Sequence, residues 1–139
     1  MEFFEIVDLA TDQKTLKAQL TIKRLPDFCV SISKVVKSRG NKGQIYCLWG
    51  LFDIHREVIN GGVRFTLPTC PNGLAWTITT GSPPAPEAVV IHLTINRTEH
   101  DPDFVDSIDE FVTNFKHGLT SNRAFKAPLS KGGLATTIR

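Results

Sequence analysis

The chain is 139 residues long, 41% hydrophobic and 22% charged, with a net charge of +2 at pH 7. A chain near ~150 residues buries about 70% of its unfolded surface, so one domain can stand on its apolar core without a disulfide framework or a structural metal. The charge is too small to require a polyanionic partner, and no apolar run approaches the ~18 residues of a membrane span. The acids of Met1-Glu2-Phe3-Phe4-Glu5 stand where a signal peptide needs bases. Cys29, Cys47 and Cys70 are odd in number and lack any CxxC or metal-ligand spacing, the pattern of reduced thiols in a cytoplasm, with a disulfide between any one pair left open.

Taken in chain order, most of the sequence reads as strand. Leu16, Ala18, Leu20 and Ile22 alternate with Lys17, Gln19, Thr21 and Lys23, and the turn Thr11-Asp12-Gln13 would fold them into a hairpin with residues 2–8. Phe28, Val30 and Ile32 alternate again before a glycine loop, Ser38-Arg39-Gly40-Asn41-Lys42-Gly43. Residues 45–59 form the longest apolar stretch, and Asn60-Gly61-Gly62 is a hairpin signal joining it to a strand over residues 63–67. Further strands are expected over residues 74–80 and 88–96.

One helix is clear. After Asp101-Pro102, the residues Phe104, Val105, Ile108, Phe111, Val112 and Phe115 fall on one helical face. Asp101 can cap the first N–H groups, Pro102 suits the first helical position, and Lys116 and His117 meet the negative end of the dipole. Gly118 followed by Leu119 reads as a left-handed cap, which ends the helix near His117.

These elements define an α+β domain over residues 1–118: a curved antiparallel sheet of about six to seven strands covered by one long C-terminal helix. Residues 119–139 are a basic tail, expected to dock through Phe125, Leu129, Leu134 and Ile138, or else to act as a basic arm. In layout the order resembles the helix-grip and related small-ligand folds, but the paired helices that those folds place after the first strand are not read here. A shared layout carries no function.

No motif fixes a chemistry. The run Ile45-Tyr46-Cys47-Leu48-Trp49-Gly50-Leu51-Phe52 is apolar on both faces of a strand, so its far side needs a cover. Tyr46, Trp49 and Trp76 offer flat surfaces for a small apolar or aromatic ligand, with His92 on the polar face of its strand as a proton carrier; a second copy of the chain would cover the same face as a homodimer. Lys34, Lys37, Arg39 and Lys42 form the best anion-binding segment, for nucleic acid or another anion, although no nucleic-acid module is visible and lysines also guard strand edges.

His55 and Glu57, two apart on one face, are the candidate acid–base pair of an enzyme reading, with Asp53 and Arg56 joining them in a surface charge pattern. Cys70 in its turn has no base in reach by sequence. The acids between Glu99 and Glu110 lack the glycine and final glutamate of a calcium loop, and Asn96-Arg97-Thr98 is a chance sequon. Neither a metal nor a cofactor is expected, no catalytic turnover is expected, and the preferred reading is a soluble binding module.

Overall fold

Among the described residues, seven antiparallel strands, numbered along the chain, form one sheet in the order β1-β7-β6-β5-β4-β3-β2, and the long helix α3 covers its inner face. The computed structural model describes residues 1–96 and 101–125. The strands are β1 (Glu2–Val7), β2 (Ile32–Arg39), β3 (Lys42–Cys47), β4 (Gly50–Ile59), β5 (Gly62–Thr66), β6 (Ala75–Thr80) and β7 (Val89–Thr94). The helices are α1 (Gln13–Gln19), α2 (Leu25–Phe28) and α3 (Pro102–Ser121), with single 3-10 turns at Ile22–Arg24 and Arg123–Phe125. The α+β architecture of sheet and C-terminal helix is as the sequence implies.

The inner face is set by strict alternation. Val89, Ile91 and Leu93 of β7 are fully buried beneath α3, while His92 and Thr94 turn outward, as the period-two pattern requires. Trp76 on β6 sits opposite Leu93 on one side and Phe65 of β5 on the other, and Ile78 sits between Ile91 and Val63. From the helix, Ile108, Phe111, Val112, Phe115 and Leu119 close the core. Asp101 caps the helix through its side chain, which accepts from the Asp103 N–H at 2.9 Å.

Four local expectations are corrected. The opening hairpin does not form: β1 pairs with β7, Glu2 opposite Thr94 through Val7 opposite Val89, and residues 13–19 and 22–28 are helical. Leu16 and Leu20 are spaced for a helix as well as for a strand, and Asp12 decides between them by accepting the Thr15 N–H at 2.8 Å as an N-cap. Pro26 then stands in the first turn of α2, where its missing N–H costs nothing. Leu16, Leu20, Ile22, Leu25 and Phe28 are all buried, so these short helices plug one end of the sheet. They occupy the place of the paired helices that the sequence reading did not find.

Second, the apolar run from Ile45 to Phe52 is a hairpin. Cys47 pairs with Gly50, and Leu48 and Trp49 form a two-residue turn that Gly50 permits with a φ of +115°. The reversal of the chain explains why apolar residues fell on both apparent faces. Third, the glycine loop is also a tight turn: Arg39 pairs with Lys42, so only Gly40 and Asn41 lie between strands.

Fourth, Gly118 does not end α3. It lies within the helix against α2, and a Cβ there would stand 1.7 Å from the Phe28 carbonyl oxygen. The glycine serves a close backbone approach, and the helix runs one further turn to Ser121, with Asn122 as its cap. Phe125 then docks in the core, its ring 5.3 Å from that of Phe28. Leu129, Leu134 and Ile138 of the tail lie outside the described residues, as do the acid Glu99 and the sequon residues Arg97 and Thr98.

Candidate functional site

One end of the sheet gathers the β3–β4 turn, the β5–β6 loop and the first turns of α3. The Asp53 N–H donates to Thr69 Oγ1 at 3.1 Å, the Asn96 N–H to the Asn72 carbonyl at 2.9 Å, and Trp49 Nε1 to Ser107 Oγ at 2.8 Å. Ser107 in turn donates to the Phe104 carbonyl one turn back. Cys47, Trp49, Phe52, Cys70 and Phe104 are half-buried here against the core, so this loop end carries an apolar rim between sheet and helix.

Behind this rim stands a cluster of rings. Phe111 of α3 lies 5.0 Å from both Trp49 and Trp76, and Trp49 also meets Phe104 at 6.2 Å. Trp76 stacks on Phe65 at 5.4 Å and tilts against Phe115 at 6.1 Å. Trp76 is 1% exposed, yet its Nε1 has no hydrogen-bond partner among the described residues. A buried donor without an acceptor costs about 1–3 kcal/mol, and buried indole N–H groups usually find one.

Burial disfavours ionisation of two of the three thiols, Cys29 and Cys47. Burial pushes Cys29 up to about 12, and its Sγ lies 3.8 Å from the Phe111 carbonyl. Burial raises Cys47 as well, and all three cysteines are free. Cys70, read from sequence as a turn residue, is half-buried against the core.

Of the four ligand candidates, the structure joins Trp49 and Trp76 through Phe111 and separates the other two. Tyr46 and His92 point to the outer face, on β3 and β7, four strand spacings or about 19 Å apart along the sheet. His92 stacks on Phe4 with ring centroids 4.2 Å apart, and its Nε2 lies 2.7 Å from Glu2 Oε1. Position parity could have shown this split, because Trp76 and His92 face opposite ways once their strands are paired. Phe104 and Phe111 were legible only as helix core, and Ser107 carried no signal of its own.

Lys34, Lys37 and Arg39 of β2, with Lys42 of β3, do share one side: their partners Tyr46 and Gln44 face outward with them on the edge of the sheet. Lys42 also lines a shallow depression of about 320 Å³ with Asn41, His55, Arg56, Glu57 and Thr66. His55 and Glu57 share the outer face as expected, and Glu57 pairs with Arg64 at 3.6 Å. His55 and Glu57 thus line one depression together, and His92, on β7, lies outside it.

Arg56 departs from its expected place. It turns from its neighbours to cap α1, donating to the Leu20 carbonyl at 2.7 Å, to the Lys17 carbonyl and to Asn41 Oδ1 at 3.3 Å. A guanidinium satisfies there the carbonyls that a helix end leaves open. The signal was available: Arg56 shares parity with Phe52 and Ile54, and a cation on an apolar face needs fixed acceptors.

The geometry is an antiparallel sheet holding a long C-terminal helix, a fold shared with solved structures. Among solved structures, the protein XoxI from Bacillus cereus superposes with a TM-score of 0.62 at 12% identity, over 89% of this chain and 94% of that one. An uncharacterised protein from Bacillus thuringiensis matches with a TM-score of 0.58 at 11% identity, over 87% of this chain and 100% of that one. A START superfamily protein from Mycobacterium smegmatis matches with a TM-score of 0.56 at 11% identity, over 85% of this chain and 93% of that one. At such identities the likeness is one of fold. No protein-family model and no curated protein sequence matches the chain.

Proposed function

We propose that the chain is a binding module that admits a small apolar or aromatic ligand at the loop end, between the sheet and α3. The observation that carries this reading is the buried Trp76 Nε1, a donor without an acceptor inside a cluster of rings. A ligand carbonyl or ether oxygen would satisfy it, while Trp49, Phe104 and Phe111 supply apolar contact. The START-like fold supports the same reading, and the three free cysteines support a reducing compartment such as the cytoplasm.

A neutral naphthyl ketone dye tests it, because the dye carries both an apolar body and an acceptor. Its fluorescence is expected to rise on addition of protein, with a shift of the Trp76 indole N–H resonance and weaker binding by Phe104→Ala. Unchanged fluorescence together with unmoved indole resonances would set the reading aside.

A second reading, self-association through the sheet, is favoured by Phe4 and Ile6, both exposed on the edge strand β1. Sedimentation velocity over a range of concentrations decides it: a dimer shows a concentration-dependent coefficient, and one invariant monomeric boundary removes it.

A further inference from the structure

Between Asp27 and Asp53 the chain has no acidic residue, and it carries Lys34, Lys37, Arg39 and Lys42. The same stretch holds five of the eight large hydrophobic residues exposed among the described residues: Val30, Val36, Tyr46, Leu48 and Leu51. The fold brings the two sets together. Lys34, Tyr46 and Leu51 form one row across β2, β3 and β4 on the outer face. The Leu48 N–H donates to the Ser31 carbonyl at 3.0 Å, which sets the β3–β4 turn beside Val30, itself 76% exposed. A register shift between Val35 and Lys37 leaves Val36 exposed on the outermost strand.

Lysines alone on β2 would be explained as a guard against edge-to-edge pairing. Exposed valines and leucines beside them work against such a guard, since they raise the tendency to associate. A nucleic acid rewards cations and aromatic faces, and it gives nothing to Val30, Val36, Leu48 or Leu51. A surface that is cationic and aliphatic at once fits a partner that is anionic at its face and apolar beneath. Such a partner is a bilayer of acidic lipids.

We propose that the β2–β3–β4 corner docks on an anionic lipid surface, with the cations at the headgroups and the Val30 and Leu48 side chains entering the interface. The binding is peripheral: no described helix is long and apolar enough to cross a membrane. Trp49 follows Leu48 in the same turn, so the docked face lies next to the apolar rim between sheet and helix. Docking does not depend on that rim being part of a ligand site.

The test is co-sedimentation of the full chain with two kinds of vesicle, phosphatidylcholine alone and equal parts phosphatidylcholine and phosphatidylglycerol. The protein is expected to pellet with the acidic vesicles at low salt and to stay in solution with the neutral ones. Lys34→Gln with Lys37→Gln removes two cations, each worth roughly fivefold near an acidic surface, so binding should fall about 25-fold. Val30→Ser with Leu48→Ser leaves the charge unaltered and is also expected to weaken binding. All four positions are exposed, and circular dichroism checks that the variants fold. The proposal fails if acidic vesicles do not pellet the protein at low salt, or if the two pairs of substitutions leave pelleting unchanged. It fails also if only the lysine pair matters and an oligodeoxythymidine displaces the vesicles, an outcome that assigns the surface to nucleic acid.

Discussion

Gly118 and Cys29 show how much a single position depends on its neighbours. In an open helix Gly→Ala stabilises by about 1 kcal/mol, because alanine has the better propensity. At Gly118 the sign should reverse, since the added Cβ meets the Phe28 carbonyl oxygen at 1.7 Å and α2 must move away from α3. Gly118→Ala is therefore expected to lose several kcal/mol, about 2 or more, in urea denaturation, as overpacking of a backbone contact does. A gain in stability would show that the two helices are not in contact. Cys29 makes a prediction in pH. Its thiol ionises at 9.0 when unfolded and at about 12 when folded, so the folded state holds its proton over that window and the unfolded state does not. The contribution is fully present below pH 9.0 and is lost as pH rises toward about 12. The gap in urea midpoint between the wild type and Cys29→Ala should narrow as pH is raised through that range; a constant gap would place the thiol in water.

Among the elements, α1 depends on a side chain remote in sequence. Its carbonyls at Lys17 and Leu20 end in the Arg56 guanidinium, which burial biases toward the neutral form without displacing it from these acceptors. Arg56→Met keeps much of the apolar stem and removes the donors, so a loss of about 2 kcal/mol is expected, with faster amide exchange in α1 than in α3. Uniform exchange in the two helices would count against the cap. This dependence explains which elements were legible in the sequence. α3 is long enough to repeat its apolar spacing several times, and β7 sets an unbroken apolar face against a polar one, so each announces itself. Leu16, Leu20 and Ile22 form too short a run for period two and period 3.6 to separate, and the deciding contacts, the Asp12 cap and Arg56, involve a three-residue signal and a partner 36 or more positions away. The Trp49 turn was hidden for a related reason. Gly50 stood inside an apolar run with no flanking polar residue, and only its positive φ marks the reversal. The candidate site was half legible: aromatic residues could be chosen, but Trp49 and Trp76 were joined, and Tyr46 and His92 parted from them, only by strand pairing.

At the scale of the whole molecule, the sheet is closed at one end by α1 and α2 and edged by an apolar rim at the other, and both ends are tied to α3. The helix is fixed at its flank by Lys116, whose Nζ lies 2.9 Å from Glu5 Oε1 on β1, and in its middle by Asn114, which donates to Ser31 Oγ at 2.8 Å. Beyond the helix, Asn122 Nδ2 donates to the Asp27 carbonyl at 3.2 Å, and Phe125 buries its ring against Phe28. The chain after α3 thus returns to α2 and fastens the plug that closes the sheet. A chain ending at Phe125 and one ending at Ser121 separate this fastening from everything that follows it. The shorter chain loses a buried phenylalanine and the Asn122 hydrogen bond to α2, and Phe→Ala losses in cores run about 3–5 kcal/mol, so it should melt well below the longer one. The difference should be concentrated in α2 and α1 when amide exchange is followed by residue, with the β5–β6–β7 centre of the sheet protected in both chains. Equal melting temperatures for the two chains would mean that Phe125 contributes no packing, and that the plug is held by α1 and α2 alone.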